Sequence, residues 1–264
     1  MESRNPVFSR TEGFTRGGYA TFDTPTAGDL ETMYTAPPAG PLQTGRMTLD
    51  DVVVRTASVF GVLLLTAAAT YTMVKPENFG IVVVAALVGL GLGLVNSFKK
   101  EPSPALILLY GAVEGIFVGG VSKFYETRYE GIVAQAVLGT LAAFITMLAL
   151  YRSGKIRNTP KFQRTLLMAG LGYMVFVGIH LLGVMLNAWD SIYAGGGVLA
   201  VLVSAFGVVL ATFFLILDFD FVEQGVRNGL PAKYAWTAAF GLVVTLIWLY
   251  LELLRLIAIL RGDD

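Results

Sequence analysis

The amino-acid sequence predicts an all-α integral membrane protein with seven transmembrane helices. Of its 264 residues, 55% are hydrophobic and only 14% are charged, whereas about 25% of the residues in soluble domains are charged. The mean hydropathy is +0.67. After residue 51, seven apolar runs follow one another, each long enough to cross a bilayer core of about 30 Å. These observations exclude an ordinary soluble domain.

Residues 1–46 are rich in Gly, Thr and Pro and show no apolar periodicity. This pattern is typical of a disordered tail. No apolar core follows the basic start, which excludes a secretory signal. Residues 47–264 form the predicted membrane domain, and either Thr48 or Asp50 is expected to cap its first helix.

The seven predicted spans follow from the length of each apolar run. Prolines in three of the connectors, at positions 76, 102 and 160, mark places where helices stop or start. The spans are residues 52–74, 79–98, 105–122, 132–151, 165–186, 198–217 and 238–260.

Basic residues are distributed unevenly between the two sides of the predicted bundle. Counting alternate connectors, one side carries 13 Lys and Arg residues, including those of the tail, and the other carries four. Because short basic loops stay in the cytoplasm, the amino terminus is predicted to be cytoplasmic and the carboxyl terminus to lie outside.

Charge and residue usage exclude several classes of function. A net charge of zero argues against a nucleic-acid partner, which requires a basic surface. There are no cysteines for disulfides or iron–sulfur clusters, and a single histidine, His180, excludes an HExxH protease. Ser204 with His180 would be a candidate catalytic dyad, but no GxSxG signature accompanies it. We therefore expect neither an enzyme nor a cofactor.

Glycines at positions 89, 91 and 93 form the sequence GLGLG in the second span. A nucleotide-binding loop has similar spacing but follows a strand. Here the glycines lie inside an apolar run, so the sequence favours close helix packing in lipid.

Three carboxylates mark the end of the sixth span, in the sequence LILDFDFVEQ. Successive helical residues rotate by about 100°, so Asp220 and Glu223 share a face that we assign to the cytoplasmic rim. Asp218 shares its face with Phe214 and Val222, which indicates the bundle interior. The alternative is that all three acids simply touch water at the end of the span.

Glu252 lies within the last span, with apolar residues on both sides. It has two candidate partners: Arg255, three residues later in the same helix, and Asp218 across the bundle. Two carboxyls close together in a low-dielectric interior cannot both ionise easily and would titrate as a coupled unit. Such a pair would sense pH and, with oxygen ligands only, would favour hard cations such as Ca²⁺.

Two further ionisable residues fall inside predicted spans. Glu114, near the middle of the third span, should be neutral, paired or lining a cavity. The sequence favours a place along an ion pathway, or a contact with a partner, over a satisfied core carboxyl. For His180, a hydrogen-bonded core position is favoured over a proton relay.

Residues from about 50 to 264 resemble the transmembrane Bax inhibitor motif proteins, the Bax inhibitor-1 family, in a bacterial form. The resemblance rests on the seven spans, on LILD ending in Asp218, and on LYLELLRLIAIL, where Glu252 replaces the usual aspartate. The separation between these two acids is about ten residues longer than usual, with the extra residues near 225–233.

The resemblance implies a bundle with the last helix central and a carboxylate pair that gates a pH-dependent calcium leak. The pair would be Asp218 and Glu252, which are also the candidate calcium ligands. A basic latch residue would correspond to Lys99 or Lys100, and Arg255 is a further candidate. The implied location is the bacterial cytoplasmic membrane.

Two functional hypotheses follow. The first is a pH-sensitive cation leak or transport protein, with calcium as the permeant ion. The second is a regulatory protein that binds another membrane protein, such as a membrane-anchored protease, through its tail.

Overall fold

The computed structural model describes residues 26–28, 45–75, 78–193 and 197–262. In these residues there are seven long helices and no β-strand, and every helix is long and apolar enough to cross a membrane. This confirms the predicted all-α, seven-span architecture. The helices are α1 (Leu49–Met73), α2 (Gly80–Phe98), α3 (Pro104–Glu126), α4 (Ile132–Arg152), α5 (Pro160–Met185), α6 (Gly197–Arg227) and α7 (Ala235–Gly262).

The chain divides into two units, Met1–Gly40 and Pro41–Asp264. Of the first unit only residues 26–28 are described, and they are exposed. Apart from these three residues and residues 45–46, the predicted disordered tail lies outside the described residues.

The start of α1 is set by a capping box. The Thr48 hydroxyl accepts a hydrogen bond from the Asp51 backbone N–H at 3.1 Å, and the Asp51 carboxylate accepts one from the Thr48 N–H at 3.0 Å. This reciprocal pair satisfies two backbone donors at the helix start. Of the two predicted caps, Thr48 is therefore the one the chain uses.

Helix α6 continues ten residues beyond its predicted end at residue 217. Hydropathy falls at Asp218, but the buried stripe of the helix goes on through Phe219, Val222 and Gly225. Gly225 lies against the side chain of Met47, which is only 2% exposed. Packing thus extends the helix past the point where apolar composition ends.

Glycines bring α1 and α3 into backbone contact. Gly111, Gly115 and Gly119 are four residues apart on one face of α3. A Cβ added at Gly115 or Gly119 would lie under 3.0 Å from the backbone of Leu63 or Ala67 in α1. Small residues at this spacing allow close packing in lipid, and α1 with α3 is the most extensive helix pair of the bundle.

Helix α7 packs against α1, α3, α4 and α6, and the two largest hydrophobic clusters both include its residues. By contrast, α2 packs mainly on α3, and α5 packs mainly on α6. These contacts agree with the central position expected for the last helix.

A short backbone pairing links the segment before α1 to the α6–α7 connection. The Met47 N–H donates to the Leu230 carbonyl at 2.7 Å, and the Ala232 N–H donates to the Gly45 carbonyl at 2.8 Å. Arg55 of α1 donates to the Ala232 carbonyl from the other side. The longer connection predicted near residues 225–233 is thus anchored to the start of the membrane domain.

We expect Gly119→Ala to destabilise the bundle by about 1–3 kcal/mol, the usual effect of overpacking, because the added methyl meets the backbone of Ala67. Gly61→Ala in α1 is the matched control, since a Cβ there has nothing within 4 Å. Thermal unfolding of the purified protein in detergent measures the difference. Equal midpoints for the two variants would contradict the close approach of α1 and α3.

Candidate functional site

Asp218 lies at the interface between α6 and α7. Its Oδ1 is 3.5 Å from the position that a Cβ would take at Gly241, and the hydroxyl of Thr245 lies beside the carboxyl. Its Oδ2 is buried and has no hydrogen-bond partner among the described residues. The Asp218 side chain therefore lies in the bundle interior, as helix geometry predicts, and its Oδ2 has no hydrogen-bond partner among the described residues.

Glu252 is held in a network of donors. The carboxylate is 3.1 and 3.3 Å from Nη1 of Arg255, and it also accepts from the Tyr173 hydroxyl at 2.8 Å and from Trp248 Nε1 at 3.2 Å. Glu252 is 3% exposed, and the Arg255 guanidinium lies 4.7 Å from the centre of the Tyr193 ring. Of the two predicted partners, Glu252 therefore uses Arg255.

The expected pair between Asp218 and Glu252 is not formed. Glu252 faces Gly207 of α6, where an added Cβ would lie 2.7 Å from Oε2, whereas Asp218 faces Gly241 of α7. In each helix the two positions are eleven residues apart, about 16 Å along the axis. Calcium ligands lie at about 2.3–2.6 Å from the ion, so the two carboxylates cannot share one ion in this arrangement.

Lys99 and Lys100, the candidate latch residues, are exposed just after α2 and form no ion pair with a described carboxylate. The neighbouring Glu101 pairs with Lys233 at 2.8 Å. The hydrogen bond and charge of Lys233 lower the pKa of the exposed Glu101 carboxyl. Among the three latch candidates, only Arg255 contacts one of the two predicted gating acids.

Glu114 lies between α2 and α3, away from the α6–α7 interface. Its carboxyl is 2.5 Å from the position of a Cβ at Gly89 and lies close to Tyr110. Gly93 faces the Tyr110 ring, while a Cβ at Gly91 would meet nothing within 4 Å. Two of the three glycines of GLGLG, Gly89 and Gly93, thus face side chains of α3, as expected for helix packing, whereas Gly91 does not. The structure does not bring Glu114 together with Asp218 or Glu252.

Asp220 and Glu223 share one face of α6, as helix geometry predicts. The Tyr151 hydroxyl lies 2.5 Å from Glu223 Oε2 and 3.4 Å from Asp220 Oδ1. Asn158 and Gln224 donate to Asp220 Oδ2 at 2.7 and 2.5 Å. Neutral donors therefore bind both rim acids and tie the end of α6 to the end of α4, and Glu223 also lies 3.9 Å from Arg227.

His180 is 9% exposed, and its Nε2 accepts a hydrogen bond from the Ile192 N–H at 3.3 Å. Its ring stacks on Phe176 and meets the edge of Tyr193. This is the hydrogen-bonded core position that the sequence favours. The Ser204 Oγ is buried without a partner among the described residues, so Ser204 and His180 do not form a hydrogen-bonded dyad.

The glycines opposite the two acids were not predicted, although their spacing in the sequence indicates them. Glu252 follows Gly241 by eleven residues, and Asp218 follows Gly207 by eleven residues. Eleven residues are about three helical turns, so each acid shares a face with its own glycine. When two such helices pack antiparallel, each acid meets the glycine of its neighbour.

Comparison with protein families matches residues 5–262 to the family described as Bax inhibitor 1 like. The match includes most of the segment predicted to be a tail, which the resemblance noted in the sequence did not cover. A search of the curated proteins gives no match.

Removing one partner of the Glu252–Arg255 pair should be strongly destabilising. Arg255→Met leaves a buried carboxylate without its cation, a change that typically costs about 3–5 kcal/mol. The double variant Arg255→Met with Glu252→Gln should recover most of this loss, because an uncharged Gln can still accept from Tyr173 and Trp248. Thermal unfolding in detergent measures both.

Arg227→Gln is the control for this cycle, since Arg227 and Glu223 are both exposed and 3.9 Å apart. Exposed pairs contribute about 0–1 kcal/mol. Additive losses in the double variant would show that the Glu252–Arg255 pair is not coupled.

Proposed function

Because the chain belongs to the Bax inhibitor 1 like family of membrane proteins, we propose that it is a pH-sensitive cation leak channel or transporter, with calcium as the expected permeant ion. The observation that carries the proposal is the buried, unpartnered Oδ2 of Asp218 at the α6–α7 interface. An oxygen in this position is sensitive to protonation, because no fixed partner compensates its charge.

The direction of the pH response follows from the cost of burying charge. An ionised carboxylate that has one unpartnered oxygen and no ion pair among the described residues is disfavoured in a low-dielectric interface, and the Thr245 hydroxyl offsets only part of this cost. The closed contact between α6 and α7 is therefore most stable when Asp218 is protonated. At higher pH, the ionised form favours separation of the helices at this level or recruitment of a cation, so cation flux should rise with pH.

Glu252 has a different role from the one implied by a coupled pair. Its carboxylate joins Arg255 and Trp248 of α7 to Tyr173 of α5, beside Gly207 of α6. We infer that it acts as a second closure, which holds three helices together about three turns from Asp218. In this proposal Asp218 binds and releases the proton, whereas Glu252 keeps the helices in contact through its hydrogen bonds.

The proposed setting is the bacterial cytoplasmic membrane, with the amino terminus in the cytoplasm. The excess of basic residues on the amino-terminal side supports this orientation. Asp218 would then lie in the cytoplasmic half of the bundle and respond to cytoplasmic pH. We propose no catalytic activity and no cofactor for this protein, and calcium is proposed only as the permeant ion.

A second candidate function is regulation of another membrane protein through the amino-terminal segment. The pairing of residues 45–47 with residues 230–232 favours it, because a partner bound to this segment would act on the α6–α7 connection. Deleting residues 1–44 should abolish recovery of a membrane-protein partner while leaving cation flux intact. Loss of flux with partner recovery retained would oppose this regulatory role.

Purified protein in calcium-loaded liposomes tests the leak. We expect Ca²⁺ efflux that rises with pH in the wild type and becomes independent of pH in Asp218→Asn, because an amide cannot ionise. Glu252→Ala, which removes the acceptor of the Tyr173 hydroxyl, should raise flux at every pH while keeping its pH dependence. A fluorescent calcium indicator outside the liposomes measures the rate.

Glu223→Gln is the matched control, because it removes a carboxylate five residues from Asp218 on the rim face of the same helix. It should leave the pH profile unchanged. A wild-type pH profile in Asp218→Asn would overturn the proposal, and loss of pH dependence in Glu252→Ala would restore the coupled pair.

A further inference from the structure

The connection between α4 and α5 is strongly basic. Residues 152–164, here called the basic connection, contain five cationic side chains and no acidic residue. All five are exposed. They are Arg152, Lys155, Arg157, Lys161 and Arg164.

These cations are not neutralised within the described part of the chain. None forms an ion pair with a described carboxylate. Two acids do lie beside the connection, but Asp220 is bound by Asn158 and Gln224, and Glu223 by Tyr151. These three donors are neutral, so both acids keep their negative charge, but the five cations outnumber the two acids and the connection stays net positive.

Two of the cations also oppose a helix dipole. Lys161 and Arg164 lie in the first two turns of α5, a helix of 26 residues with no acidic residue in its first turn. Positive charge at a helix amino terminus is unfavourable, whereas an anion there is favourable. A bound anion would offset both the like charges and the dipole.

We propose that the basic connection binds the phosphate groups of anionic phospholipids. It joins two membrane-spanning helices, so its exposed cations lie at the level where lipid headgroups are found. Arginine binds phosphate through paired N–H donors, and each basic residue near an anionic membrane surface strengthens attraction roughly fivefold. Lipid binding at this connection does not require the proposed cation conduction.

Lipid bound at the basic connection would also affect the end of α6. The basic connection is bonded to α6 through Asn158 and Asp220, and Asp220 is two residues after Asp218. Anionic lipid at the connection therefore holds the end of the helix that carries the unpartnered carboxyl.

The test uses the full-length protein in detergent, titrated with short-chain phosphatidylglycerol and, separately, with phosphatidylcholine or inorganic phosphate. Native mass spectrometry counts bound molecules. We expect phosphatidylglycerol to bind more tightly than the other two, and the double variant Lys161→Gln, Arg164→Gln to weaken it roughly ten- to thirtyfold. Raising the salt concentration should weaken it further, because these charges are exposed.

The double variant Lys99→Gln, Lys100→Gln is the matched control, since it removes two exposed cations from another connector at the same end of the bundle. It should keep wild-type affinity. Equal weakening in both variants would show a general charge effect and overturn the site. Equal affinity for phosphatidylcholine, or equally tight binding of inorganic phosphate, would also overturn it. Unchanged thermal midpoints show that the variants fold.

Discussion

The architecture depends on the close approach of helices at glycine, because this approach decides where a charged side chain can be buried. Glu252 occupies the space that a Cβ at Gly207 would fill, and Asp218 lies against Gly241. Glu114 lies in the same way on a glycine of α2. An added Cβ at Gly207 or Gly89 would collide with the facing carboxyl, so these two glycines leave the space that Glu252 and Glu114 occupy, whereas the contact of Asp218 with Gly241 is an ordinary one.

The two acids of the α6–α7 interface have different electrostatic surroundings, because the donors beside them differ. Glu252 accepts from Arg255, Tyr173 and Trp248, so its charge is compensated inside the bundle. Asp218 has a buried oxygen with no partner among the described residues. One carboxylate can thus stabilise the closed bundle while ionised, whereas the other is a group whose ionisation the closed bundle resists. The proposed function therefore assigns separate roles to the two acids in place of one coupled pair.

Much of this arrangement can be predicted from residue types and spacing. Apolar run length predicts the seven spans, and helix periodicity separates Asp218 from Asp220 and Glu223. The sequence left two candidate partners for Glu252. The ion pair with Arg255 could be predicted as one of them because both residues lie three apart on one helix. Predictions of this kind succeed when the interaction lies within a single helix. There the rotation of about 100° per residue determines which side chains meet.

The sequence by itself therefore determined the membrane class, the helices and the faces of their acids. Only the tertiary structure decided which helices meet and in what register. The three-turn offset that separates Asp218 from Glu252 comes from α6 packing against α7, and the resemblance to a family with a carboxylate pair could not predict it. Helix α6 also runs past its apolar segment because Gly225 packs on Met47. Both results depend on contacts between distant segments, and a local pattern carries no information about those contacts.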